Sequence, residues 1–136
     1  MTDAMQLTLD GAEVPMKATG GKSNPHRGAV WERRMKVLLE QAGYMVIRAA
    51  GSHGAADLIA IRRDVRPVFV QCKIHGTVGH GEWNALLTQA RECGSTPIIA
   101  SRNETGKHVY LREITDYHVA RSPKWPAKAW FLGGSS

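Results

Sequence analysis

The chain has 136 residues, enough for one domain with a real core and too few for two comfortable ones. Lys and Arg outnumber Asp and Glu by 18 to 12, a net charge of +6 that favours a polyanionic partner, nucleic acid first, over an acidic protein or a neutral metabolite. The two cysteines, Cys72 and Cys93, lack CxxC spacing, which argues against a disulfide framework or a zinc ribbon. No stretch approaches the roughly 20 apolar residues of a membrane span, and the N-terminus lacks the basic start and apolar run of a signal peptide. A soluble protein of the reducing cytoplasm is expected.

Residues 1–27 read as a leader. Its first part, MQLTLDGAEVPM, alternates Met5, Leu7 and Leu9, then Ala12, Val14 and Met16, around Asp10-Gly11, a pair suited to a tight hairpin turn. Its second part, KATGGKSNPHRG, has linker composition. The spacing in AVWERRMKVLLEQAG predicts a helix with Trp31, Met35, Leu38 and Ala42 on one stripe and Gly43 at its end. YMVIRA, AADLIAI and RPVFVQCK, rich in Val and Ile, read as three strands. HGEWNALLTQARECG predicts a second amphipathic helix, with Trp83, Leu86, Leu87 and Ala90 inward and Gly94 closing it. TPIIAS and HVYLRE follow as strands, and EITDYHVA as a short terminal helix. The order αβββαββα, without internal repeat, predicts an α/β fold: a mixed sheet flanked by helices.

The second and third strands are joined by IRRDVRP, centred on Asp64. Asp57 lies seven residues before that centre and Gln71 seven after it, so a symmetric hairpin sets them opposite one another, with Lys73 two residues further along Gln71's face. A carboxylate, an amide oxygen and an ammonium would meet at one sheet edge. Hard oxygen ligands can hold Mg²⁺ with several waters, and a neighbouring lysine can orient or help to deprotonate one of them for attack on phosphorus. The plainer reading makes Asp57 a turn residue and leaves Gln71 and Lys73 on a solvent face, because alternating polar residues are ordinary on antiparallel strands.

From Gly28 to about Arg102, RGAVWERRMKVLLEQAGYMVIRAAGSHGAADLIAI followed by PVFVQCK resembles the archaeal-type Holliday junction resolvases, phage-carried relatives included, within the PD-(D/E)xK nucleases. The resemblance implies a restriction-endonuclease-like αβββαβ core, a homodimer, and Mg²⁺-dependent cutting of branched double-stranded DNA, with Mn²⁺ able to substitute. It makes residues 28–120 the nuclease domain and 121–136 a C-terminal tail. Carried over by position, the helix acid is Glu32, the loop serine Ser52, the metal-binding aspartate Asp57 and the strand-end lysine Lys73. Gln71 departs from the pattern, which has glutamate there; glutamine occurs at this place in methylation-dependent restriction enzymes of the wider superfamily. Its oxygen can coordinate a cation with less attraction than a carboxylate. Asp57, Gln71, the backbone carbonyl of Cys72, and Glu32 directly or through water form the implied metal set.

Arg33, Arg34, Arg48, Arg62, Arg63 and Arg66 are candidates for phosphate contacts, with His53 in the glycine loop and His75 in IHGTVGH. Two histidines, His75 and His80, do not make a closed zinc site. The Cys72 side chain alternates away from Gln71 and Lys73 and reads as a small core residue. Trp125, Trp130 and Phe131 lie beyond the resemblance and either cover a core edge, pack in a dimer, or stack on unpaired bases. Two other activities fit the same residues: a nuclease acting on duplex, flapped or modified DNA, and a DNA-binding module whose nuclease site has decayed.

Overall fold

A computed structural model describes residues 6–8, 24–49, 54–75 and 77–132. Along the chain these form β1 (Gln6–Thr8), α1 (Asn24–Gln41), β2 (Met45–Arg48), β3 (Leu58–Ile61), β4 (Val68–Lys73), α2 (His80–Glu92), β5 (Thr96–Arg102), β6 (His108–Ile114) and β7 (Ala127–Ala129). The expected αβββαβ core is the run from α1 to β5. The sheet is seven-stranded, in the order β1-β6-β5-β4-β3-β2, with β7 also beside β6. Among the described residues only β4 and β5 pair in parallel, and α2 is the crossover between them.

The two helices cover opposite faces of the sheet. From α1, Trp31, Met35 and Leu39 are buried against Val46, Leu58, Val68, Val70, Ile98 and Ala100. Leu38 and Ala42, expected on this stripe, flank it half-buried. Trp31 also donates its indole N–H to the Ala100 carbonyl at 3.3 Å, which fixes the helix over β5. From α2, Trp83, Leu86, Leu87 and Ala90 pack on Phe69 and Ile99. Gly43 and Gly94, at φ +97° and +66°, end the two helices in the left-handed conformation a side chain disfavours.

Two local expectations change. Helix α1 begins at Asn24, inside the segment read as linker, because Pro25 sits in the first turn, where its missing N–H costs no helical bond. The short helix expected over EITDYHVA does not form. Trp83 donates to the Asp116 carbonyl at 3.0 Å, while Asn84 accepts from His118 N–H at 2.7 Å and donates to its carbonyl at 3.1 Å. Those tertiary bonds take backbone groups that a helix needs for itself. Of the proposed N-terminal hairpin, Gln6–Thr8 is a strand, but it pairs with β6, Leu7 opposite Val109; residues 9–16 lie outside the described residues. The C-terminal segment contributes β7, which lies along Arg112–Ile114.

Candidate active site

The β3–β4 hairpin turns about Asp64, at φ 66°, a conformation Asp tolerates better than most residues. The register is the one that centre demands: Leu58 faces Val70, Ile59 faces Phe69 and Ala60 faces Val68. Asp57 stands just before β3. Its N–H donates to the Val70 carbonyl at 2.8 Å, and its own carbonyl accepts from Ala49 N–H at 2.9 Å. Its carboxylate Oδ2 accepts from Cys72 N–H at 2.8 Å, so the side chain stands where a ladder carbonyl would otherwise be.

Phe69 joins the α2 side of the core, whereas Val68, Val70 and Cys72 join the α1 side. Gln71 and Lys73 share the parity of Phe69 and lie on the α2 face. Lys73 Nζ there meets Glu82 Oε2 at 2.9 Å, and Glu82 Oε1 accepts from Gly79 N–H at 3.0 Å. Glu32 approaches from α1 on the other face and is paired with Arg48 at 3.2 Å. Asp57 lies between the two groups.

The charges register on one another accordingly. Burial pushes the Asp57 carboxyl above its ordinary value; the Cys72 N–H pulls it back, the Glu32 charge raises it, Lys73 lowers it and Glu82 raises it again. The Gly79 N–H, then the Lys73 ammonium, hold Glu82 below the usual carboxylate range against its partial burial. Burial, with the Asp57 and Glu32 charges, drives the Cys72 thiol well up. That thiol stays protonated, which suits a packing role and not nucleophilic chemistry.

Gln71 is only 9% exposed, and its Oε1 is buried without a hydrogen-bond partner. A buried acceptor left unpaired costs about 1–3 kcal/mol. Among the described residues no three His, Cys, Asp or Glu side chains are grouped to hold a metal. A cation at this edge would therefore draw on Asp57 together with neutral oxygens, and the orphaned Gln71 Oε1 is such an oxygen. The donor set suits a hard divalent ion that keeps much of its water.

Ser52 and His53 lie outside the described residues. Just downstream of them, Ala55 N–H donates to Gln89 Oε1 of α2 at 2.9 Å. Arg62 and Arg63 sit at the far end of the hairpin from Asp57. Arg62 lies over the Tyr44 ring, 4.9 Å from its centroid, and donates to the Ala42 carbonyl, while Arg66 donates to the Gly94 carbonyl. Arg33, Arg63 and His75 are exposed. Helix α2 starts at His80, where the sequence predicts it, with Gly79 as its cap and Gly81 in its first turn. His80 Nδ1 lies 2.8 Å from His118 Nδ1. Trp125 stacks on His118 at 3.5 Å and meets Trp83 edge-on, so this part of the C-terminal segment covers the edge of α2.

Two residues at this edge escaped the sequence reading: Glu82 and Gln89. Glu82 carries a local signal, an acid three residues after a glycine at the head of an apolar helix, which is half of a capping box. Gln89 carries none.

A comparison with curated proteins gives no match. Among solved structures the chain is similar to Hjc of Archaeoglobus fulgidus, a Holliday junction resolvase from an archaeal hyperthermophile, at 23% identity and a TM-score of 0.54, over 67% of this chain and 80% of that one. At that identity the likeness carries the fold, which is the α/β architecture described above. The family model for the archaeal Holliday junction resolvase, Hjc, matches residues 23–124, a span that holds both helices, strands β2 to β6 and the whole Asp57 edge. The chain thus belongs to the archaeal Holliday junction resolvase family, nucleases that resolve four-way DNA junctions.

Proposed function

We propose that this resolvase cuts four-way junctions by paired nicks as a Mg²⁺-dependent homodimer, with Glu32, Asp57, Gln71 and Lys73 as its working residues. The observation that supports this most is the buried, unpartnered Gln71 Oε1 beside a carboxylate whose own affinity for protons is raised. Asp57, Gln71 Oε1 and the Cys72 backbone carbonyl would hold the ion, and Glu32 would reach it directly or through water. Bound Mg²⁺, or Mn²⁺ in its place, supplies Lewis-acid stabilisation of charge on the phosphate and lowers the pKa of a coordinated water. Lys73, held on the α2 face by Glu82, presents its ammonium to the attacking water and the scissile phosphate. Ser52 contacts phosphate or orients a ligand.

Two cuts on opposed strands need two sites, and each chain provides one. The β2 side of the sheet supports a second copy: Met45, Ile47 and Ile61 are exposed apolar residues on the face that α2 leaves uncovered there. Arg33, Arg34, Arg48 and His75 serve as phosphate contacts near the cutting edge, with Arg62 and Arg63 meeting a more distant arm; His53 is a further phosphate contact. No described helix is long and apolar enough to cross a membrane. We assign the chain to the cytoplasm, where its substrate lies.

The experiment is incubation of a synthetic four-way junction with Mg²⁺, comparing the wild type with Asp57→Ala and Lys73→Ala. Paired nicking by the wild type alone is expected. An inactive wild type, or two variants that cut normally, rejects the reading, and equal cutting of flap and linear duplex rejects the junction preference.

A further inference from the structure

On the α1 face, two strands from Asp57, the end of β5 carries a second polar feature. Arg102 is the residue after Ser101, which pairs with Lys73 of β4. With strands about 4.8 Å apart and Arg102 three residues further along its strand, its backbone lies about 14 Å from Asp57. Its guanidinium is folded over the buried Trp31 ring, 6.0 Å from the centroid, and Nη1 donates to the adjacent Asn103 carbonyl at 3.1 Å. Arg102 is only 9% exposed, and its Nε–H is buried with no acceptor. A cation so enclosed normally has an anion beside it. Among the described residues neither Arg102 nor Arg27 is in an ion pair.

The helix above adds more positive charge. Arg27, Trp31 and Arg34 are spaced four and three apart along α1 and so form one stripe, with Trp31 directed at Arg102. Glu32 sits off this stripe, toward Arg48 and Asp57. The guanidinium of Arg102 is destabilised first by burial and then by the charges of Arg27 and Arg34. Arg27 and Arg34 thus add positive charge around Arg102, whose buried N–H lacks an acceptor, at the same end of the sheet as Lys73.

We propose that Arg102 and Arg27, in the field of Arg34, form a phosphate-binding subsite that takes a backbone phosphodiester flanking the one cut at Asp57. The proposal rests on the reading of the Asp57 edge as the cutting site. Its chemistry is that of a planar guanidinium fork offered to a phosphate oxygen, and it positions the strand without reading bases. Trp31 forms the apolar floor that holds the fork in place.

The test uses the full chain with ¹⁵N-labelled arginine, following the Nε–H signals while inorganic phosphate is added. The Arg102 signal, assigned by its loss in Arg102→Lys, is expected to move saturably, and the response to weaken in Arg27→Gln, a change at an exposed position. In parallel, junction binding without divalent ions is measured over a salt series; Arg27→Gln is expected to make the dependence of log K on log salt shallower by about one. An Arg102 signal that does not move, or an unchanged slope, overturns the subsite. If the wild type neither binds nor cuts a junction while phosphate still moves Arg102, the catalytic reading fails and the subsite stands. A chain that cuts junctions with no response at Arg102 gives the reverse result.

Discussion

Lys73 and Glu82 meet across the space between the end of β4 and the first turn of α2, Nζ to Oε2 at 2.9 Å, and the other oxygen of Glu82 is held by the Gly79 N–H. The helix start thereby fixes the carboxylate, and the carboxylate fixes the amine. Glu82→Gln should leave the fold intact, costing less than about 1 kcal/mol because the pair is partly exposed. The single-turnover cleavage rate should nonetheless fall by about tenfold or more as the ammonium loses its fixed position. Thermal melting and a quenched-flow cleavage series check the two halves, and a variant that cuts at the wild-type rate removes Glu82 from the mechanism.

Asp57→Asn should abolish cutting yet stabilise the metal-free chain at neutral pH. The folded state raises the Asp57 pKa, so this group favours folding fully below its unfolded pKa and loses that contribution as pH rises through the raised value. Above that value the carboxylate is a burden, which the amide removes while its oxygen still accepts the Cys72 N–H. In EDTA the Tm should rise by a few degrees near neutrality, with the gain fading in acid. Added Mg²⁺ should raise the Tm of the wild type alone. A variant less stable than the wild type at neutral pH contradicts the account.

Gln71→Glu should tighten divalent-ion binding by about tenfold or more, equivalent to about 1.4 kcal/mol. It adds a charge to an oxygen that is already buried and without a partner. The same substitution should lower the Tm of the metal-free chain, since two carboxylates then share the edge. Calorimetric titration with Mn²⁺ provides the readout, and an unchanged isotherm counts against Gln71 as a ligand.

Gln89→Leu removes the acceptor for Ala55 N–H and releases the loop that leads into Asp57. A loss of about 1–2 kcal/mol in urea unfolding is expected, with slower cleavage that saturating DNA does not restore. Full activity at saturation would mean that the loop keeps its place unaided.

The pairing of β3 with β4 about Asp64 was legible in the sequence because a hairpin's register follows from its turn, and Asp64 marks that turn plainly. The buried faces of both helices were legible for a similar reason: Trp31 and Met35, or Trp83 and Leu87, recur at the helical period. What escaped depends on partners remote in sequence. Glu82 reaches Lys73 from a different element, and Gln89 bonds a backbone N–H that no spacing rule identifies. The segment EITDYHVA has a pattern acceptable to a helix, but Asn84 and Trp83 claim its backbone, and Trp125 stacks on His118. Tertiary bonds there override local preference.

Strand β6 receives β1 along residues 108–110 and β7 along residues 112–114, both on the flank that β5 does not occupy. Pairing residue 6 with residue 110 brings together segments separated by most of the polypeptide, and such distant closures slow folding. During synthesis β1 must wait for its β6 partner to leave the ribosome, and β6 then waits in turn for residues 127–129 to seal the remainder of its flank. Closure of this flank of the nuclease is accordingly gated by β7.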